Sequence, residues 1–255
     1  MGLTLAMTGK GGVGKTTLAA LTVEWLVARG EGPVLAVDAD SNANLHEALG
    51  VGYRATVGGI RESARGDVPR LTGMAKQEFL DLRVQEALVE QAGYDLIVMG
   101  RPEGQGCYCF ANNVLRDVLD RLSRQYKHIV LDSEAGLEHI SRRTLLRLDH
   151  LLIVSDASVR GVRTARRVSE LADEVSLGAA ARGLILNRVP DGALTAPLQQ
   201  EVEASGLPLL ATIPLDPAIA AMDAGGMTVR AIPQDAPARR ALGGLLDRLF
   251  AAARV

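Results

Sequence analysis

At 255 residues and 47% hydrophobic content, the chain can bury a large core and falls in the size range of a single α/β domain, expected to span 1–255. Its 28 basic and 30 acidic residues leave a net charge of −2, so no global cationic surface calls for nucleic acid or an acidic membrane as partner. No apolar run is long enough to span a bilayer and Met1 leads directly into a strand, so a cytoplasmic location is expected.

The first predicted strand is Leu3–Met7 and the first helix Thr16–Arg29, ended by Gly30. Between them Gly9-Lys10-Gly11-Gly12-Val13-Gly14-Lys15-Thr16, with Thr17 next, forms a complete GxxxxGK[ST] phosphate loop. Glycines let successive backbone N–H groups converge on phosphate oxygens, and the following helix presents its positive end. Lys15 and Thr16 can reach the terminal phosphates and Mg²⁺. ATP or ADP is therefore the expected ligand.

A second strand, Val34–Val37, runs into Val37-Asp38-Ala39-Asp40. Asp40 is assigned to orient the attacking water and Asp38 to touch the metal or the second lysine; both could instead cap a helix over Asn42–Leu49. The stretch Val51–Gly73 is rich in Gly, Arg and Thr without a sustained period, and reads as a mobile surface insertion before a helix at Lys76–Gln91. Strand Leu96–Met99 feeds the irregular segment Gly100-Arg-Pro-Glu-Gly-Gln-Gly-Cys-Tyr-Cys109, and a helix follows at Asn112–Gln125. Strand Ile129–Leu131 ends on Asp132, where a carboxylate can hold the Mg²⁺ shell through water or form an ordinary turn. Beyond it come a helix at Ser141–Arg147, strand Leu151–Val154, helix Gly161–Val175, strand Leu184–Leu186, helix Ala196–Ala204, strand Leu209–Ile213 and helix Arg239–Ala252. Seven short apolar runs alternating with helices predict a doubly wound, mainly parallel seven-stranded sheet with helices on both faces. Its ligand belongs outside the carboxyl ends of the strands. Trp25 and Leu26 read as core, and His46 and His139 as hydrogen-bonded or surface residues rather than ligands.

Cys107 and Cys109 are the two cysteines of the chain, too close for an ordinary structural disulfide. Two thiolates leave Zn²⁺ or Ni²⁺ coordinatively short, and a two-fold dimer would supply the missing pair from the other subunit. Four sulfurs suit tetrahedral Zn²⁺ and planar Ni²⁺ alike. The alternative is a pair of free cysteines packed as small hydrophobes.

The early Lys10, the Val-Asp-x-Asp segment and Asp132-Ser-Glu-Ala-Gly-Leu-Glu-His139 resemble the deviant-Walker ATPases that include the nitrogenase iron protein, MinD and ParA, within the SIMIBI type of P-loop NTPase. That resemblance implies a homodimer sandwiching two ATP molecules, with Lys10 reaching the partner's nucleotide. It also implies that Asn187, followed by Arg188, reads the adenine edge, and that Ile213-Pro214-Leu215-Asp216 forms the base-side loop. Gly106-Cys107-Tyr108-Cys109, taken with the Asp132–His139 segment, resembles the CooC type, accessory ATPases of carbon monoxide dehydrogenase that act in nickel insertion. Ser41 stands where many relatives have proline, and Glu134 where others have glycine or proline.

The expected function is thus a metallochaperone-like ATPase whose ATP-bound dimer closes so that the cysteines meet. Carbon monoxide dehydrogenase is the expected client, with neither nucleic acid nor membrane as partner. The competing reading is a MinD- or ParA-like positioning ATPase that binds membrane or DNA. Its support is the carboxyl-terminal helix, with Leu242, Leu245, Leu246, Leu249 and Phe250 on one face and arginines flanking it, a pattern that fits a last helix packed on the sheet equally well. A third is an electron-transfer ATPase with a shared four-sulfur iron cluster.

Overall fold

A computed structural model describes residues 2–59, 84–100, 119, 122–133, 148–175, 177–190 and 193–253. The strands are β1 (Thr4–Thr8), β2 (Val34–Ala39), β3 (Leu88–Gln91), β4 (Tyr94–Val98), β5 (His128–Ser133), β6 (Leu148–Asp156), β7 (Ala179–Val189) and β8 (Leu209–Pro214). They form one eight-stranded sheet in the order β3-β4-β2-β5-β1-β6-β7-β8, parallel throughout except for the antiparallel β3–β4 pair. Helices are α1 (Lys15–Ala28), α2 (Leu45–Leu49), α3 (Val159–Glu174), α4 (Ala196–Ser205), α5 (Pro217–Ala224) and α6 (Pro237–Ala252).

Strand residues alternate between two cores because successive side chains point to opposite faces. Val34 and Ala36 of β2 join the core beneath α1 and α6, while Leu35, Val37 and Ala39 join the one beneath α3 and α4. The same alternation divides Leu152 and Val154 from Leu151 and Ile153 on β6. Burial on both faces is why the central strands read as continuous apolar runs. Helix α1 is apolar nearly all round, and Leu18, Ala19, Ala20, Leu21, Val23 and Leu26 are all buried because α2 and α6 cover the side away from the sheet.

Two expectations need correction. The sheet has eight strands, not seven, and Leu88–Gln91, expected to close a helix begun at Lys76, is the edge strand β3; only 84–87 immediately before it are helical among the described residues. The apolar face of α6 is not available to a membrane, because Leu242, Leu245, Leu246, Leu249 and Phe250 are buried in the core. No described helix is long and apolar enough to cross a bilayer. Most of the Val51–Gly73 insertion and of the Asn112–Gln125 helix, and all of the Ser141–Arg147 helix, lie outside the described residues.

Candidate nucleotide site

β1 sits between β5 and β6, where the chain's winding changes side, and its carboxyl end opens into the glycine-rich loop. In a doubly wound sheet this switch point is where a crevice forms. Gly9, Gly12 and Gly14 have φ of 144°, 78° and 93°, a region costly for any side chain. At Gly9 the constraint is also spatial: a Cβ would lie 2.1 Å from the Val154 carbonyl oxygen of β6. Around Gly11 and Gly12, by contrast, a Cβ would meet nothing within 4 Å, so the outer face of the loop borders open space. Helix α1 starts at Lys15 with no side-chain cap, leaving its first-turn N–H groups for a ligand.

Lys15 is buried and its Nζ donates to the Lys10 carbonyl at 3.2 Å, while the Lys10 side chain is exposed. Thr16 Oγ1 donates to Asp132 Oδ2 at 2.6 Å. The other oxygen of that buried carboxylate, Asp132 Oδ1, has no hydrogen-bond partner among the described residues. A threonine hydroxyl and a buried carboxylate with one idle oxygen, beside the loop, form a hard oxygen donor set that fits Mg²⁺.

Asp38 stands directly across the β2–β5 ladder from Asp132. Its Oδ1 accepts from Asp40 N at 3.2 Å and its Oδ2 from Leu45 N at 2.8 Å, so it ties the strand end to the start of α2. Burial, reinforced by the neighbouring Asp132 charge, pushes the Asp38 carboxyl up to about 7 despite those two N–H donors. Burial likewise pushes Asp132 up to about 6, against the Thr16 hydrogen bond and the Lys15 charge. Asp40 is less buried; its Oδ1 accepts from Asn42 N at 2.7 Å and its charge is felt at Asp132. Of the two acids at this strand end, Asp38 occupies the capping role and Asp40 faces the more open side.

From the other side of the loop, two consecutive residues at the end of β7 grip two consecutive loop carbonyls. Asn187 Nδ2 donates to Val13 O at 2.8 Å, and Arg188 Nη1 donates to Gly12 O at 2.9 Å. Asn187 Oδ1 accepts from Arg188 N at 3.0 Å, and Arg188 adopts a left-handed φ of 57°. With both carbonyls turned toward β7, the N–H groups of the same two trans peptide units, those of Val13 and Gly14, point the opposite way. The Asn187 amide keeps one further N–H and one further lone pair, which is what an adenine edge would use. Pro214 ends β8. Asp216 is buried and committed to the fold: Oδ1 accepts from Ala218 N and Oδ2 from Ala238 N, both at 2.9 Å, joining the first turns of α5 and α6. The loop-holding role of Asn187 and Arg188 was not anticipated from sequence.

A profile for the CobQ/CobB/MinD/ParA nucleotide-binding domain matches residues 4–229. The chain belongs to this family. It is accordingly an ATP-binding and ATP-hydrolysing phosphate-loop protein, and ATP or ADP with Mg²⁺ is its expected ligand. An uncharacterized ATP-binding protein of Methanocaldococcus jannaschii is 40% identical over 236 residues, covering 91% of this chain and 92% of that one. The carbon monoxide dehydrogenase accessory protein CooC of Rhodospirillum rubrum is 32% identical over 245 residues, covering 88% of each. Among solved structures, the Pyrococcus furiosus cell division ATPase MinD has a TM-score of 0.71 at 24% identity, over 99% of this chain and 100% of that one. MinD of Pyrococcus horikoshii, solved with Mg-ADP, has the same TM-score at 22% identity, over 99% of this chain and 98% of that one. These structural likenesses speak for the fold.

Cys107 and Cys109, with the glycine-rich segment carrying them, and Glu134 and His139 lie outside the described residues. No cluster of three or more metal-binding side chains occurs among the described residues. His46 packs its ring edge-on against Tyr53, 4.7 Å between centroids. Leu26 is buried in the core, and Trp25 packs on it against Phe250.

Proposed function

We propose that this family member is a dimeric ATPase serving nickel insertion into a carbon monoxide dehydrogenase, with Cys107 and Cys109 of two subunits sharing one Ni²⁺ or Zn²⁺. The supporting observation is that a CooC relative aligns over most of both chains while this chain's two cysteines stand in a Cys-x-Cys spacing that the ATPase chemistry leaves unused. The positioning-ATPase reading loses its main support, since the helix face it would lay on a membrane is core.

In this reading Lys15 exchanges the Lys10 carbonyl for phosphate oxygens, which frees Lys10 to reach the partner's nucleotide. Thr16 and Asp132 hold Mg²⁺, whose charge neutralises the phosphate oxygens when bound. Asp40 orients the attacking water, and the Asn187–Arg188 pair keeps the loop N–H groups aimed at phosphate while Asn187 meets the base. The Pro214–Asp216 segment walls the base side. ATP binding closes the dimer and hydrolysis reopens it, so the nucleotide times metal capture and release. Oligomeric state and bound metal measured together, with and without a non-hydrolysable ATP analogue, test the proposal. The expected result is one ion per dimer, held more tightly with the analogue; a monomer that ignores both ligands overturns it.

A further inference from the structure

The sheet's opposite end carries a second cavity, of about 610 Å³, between the last turns of α1, the start of β4, the Val229–Ala231 turn and α6. It lies roughly 15 Å along α1 from Lys15, at the end of the helix remote from the phosphate loop. Two buried donors line it without an acceptor among the described residues: the indole Nε1 of Trp25, and the hydroxyl of Tyr94, whose oxygen lies against the Arg230 guanidinium while its own O–H has nothing to donate to. Tyr94 is only 5% exposed, so water does not readily compensate its hydroxyl. A native structure keeps few such groups, and each calls for an explanation.

The lining is cationic. Arg239 is spoken for by Glu24 at 2.7 Å and by the Ile232 and Val229 carbonyls, and Arg29 by Asp247 at 3.0 Å. Arg230 reaches the same Glu24 only at 3.6 Å, and exposed Arg240 has no ion-pair partner among the described residues. Four arginines against Glu24 and Asp247 leave a surplus of two positive charges around two idle hydrogen-bond donors.

The helix above the cavity is built against its own propensity. Gly243 and Gly244 stand in the middle of α6, where each costs roughly 1 kcal/mol relative to alanine. Both line the cavity, and a Cβ on Gly243 would stand in ordinary contact with Trp25 Nε1, at 3.5 Å. A larger side chain at Gly243 would crowd the indole edge.

We infer that this cavity binds a small organic anion, a carboxylate or phosphate on an apolar body, whose oxygens accept from Trp25 and Tyr94 and pair with Arg230 and Arg240. The site lies apart from the phosphate loop.

Trp25 is the one tryptophan of the chain, so intrinsic fluorescence reports the site directly. Phthalate and phenyl phosphate are titrated into the full chain with saturating MgADP, which keeps the phenyl phosphate off the phosphate loop; benzamide is the neutral control. Saturable quenching or enhancement by at least one anion is expected, and which one responds separates a carboxylate from a phosphate ligand. Arg240→Gln and Tyr94→Phe should each weaken binding about tenfold, and Gly243→Leu should abolish it with MgADP affinity unchanged. If Gly243→Leu fails to fold, as read by circular dichroism, Tyr94→Phe decides, because it keeps the ring and removes only the idle hydroxyl. No saturable response to either anion, an equal response to benzamide, or unaltered binding in Tyr94→Phe and Arg240→Gln overturns the inference.

Discussion

Asn187 and Val13 are 174 residues apart in the chain and 2.8 Å apart in space, joined by the amide Nδ2 and the loop carbonyl. The phosphate loop is thereby fastened to the end of β7, and in the proposed reading, where Asn187 meets the base, the two ends of the nucleotide site share one support. Gly14 sits under the same amide: a Cβ there would come within 2.4 Å of Asn187 Nδ2.

Removing the amide should therefore be felt at the phosphates. Asn187→Ala strands the buried Val13 carbonyl and should cost about 1–3 kcal/mol of stability, together with a loss of ATP affinity. Arg188→Ala should also weaken ATP, and Arg188→Gly equally so, but the glycine variant should melt higher because it relieves the left-handed backbone at φ 57°. Thermal melts and ATP titrations of the three variants check this. Affinities equal to the parent in both Arg188 variants would leave its contact with Gly12 without consequence.

Lys15→Ala should keep the fold and lose nucleotide. Its ammonium hydrogen-bonds the Lys10 carbonyl and acts by charge on Asp132, neither of them a contact of the hydrophobic core, whereas the terminal phosphates lose their nearest fixed charge. Circular dichroism should match the parent while calorimetry with MgATP shows no binding.

Asp40→Ala should bind ATP and Mg²⁺ and fail to hydrolyse, accumulating a closed dimer. Asp38 is a poorer candidate for that chemistry, since both of its oxygens accept backbone N–H groups. Single-turnover hydrolysis with size-exclusion chromatography reads both outcomes. Turnover at the parental rate would shift water positioning to another residue.

Cys107→Ser and Cys109→Ser should each remove stoichiometric Zn²⁺ or Ni²⁺ while leaving ATP affinity nearly intact. Metal should drive monomer toward dimer even without nucleotide, because an ion shared by two subunits binds only the paired state. Equilibrium dialysis giving one tight ion per monomer would exclude the shared site.

Stability of the protein free of nucleotide and metal should fall as pH rises from about 4 to about 7. An unfolded aspartate titrates near 4, whereas Asp38 is pushed up to about 7 and Asp132 to about 6. Across that window the folded state holds more protons than the unfolded one, so raising pH favours unfolding, and the loss is complete above the folded values. Melts in EDTA between pH 5 and 8 should show this slope for the parent and a shallower one for Asp38→Asn. A parent slope no steeper than that of Asp38→Asn would contradict the burial argument.

The sheet's central strands and the phosphate loop were legible because their signals are local: apolar runs buried on both faces, and glycines at fixed spacing before a helix. Strand β3 was not. Val84, Ala87 and Leu88 keep a helical spacing, and Glu90 and Gln91 on an exposed edge carry no alternation to betray a strand. Helix α5 escaped notice because Pro-Ala-Ile-Ala-Ala-Met-Asp-Ala offers no polar face to contrast with an apolar one. Side-chain partnerships across the fold were beyond reach: nothing near Asp216 announces that Ala238 N lies on its second oxygen. The family resemblance implies a base contact for Asn187 and says nothing of Val13, whose carbonyl the Asn187 amide holds only through packing across the fold.

The antiparallel β3 has a consequence for assembly. A parallel sheet that stopped at β4 would offer a stranger's strand a row of unpaired N–H and C=O groups. Instead the rim is four residues long, ends on exposed Glu90 and Gln91, and sets Glu90 directly opposite Asp95. Any chain adding itself there would meet negative charge within a residue or two. On that side a short, charged rim disfavours the edge-to-edge pairing of copies of the protein.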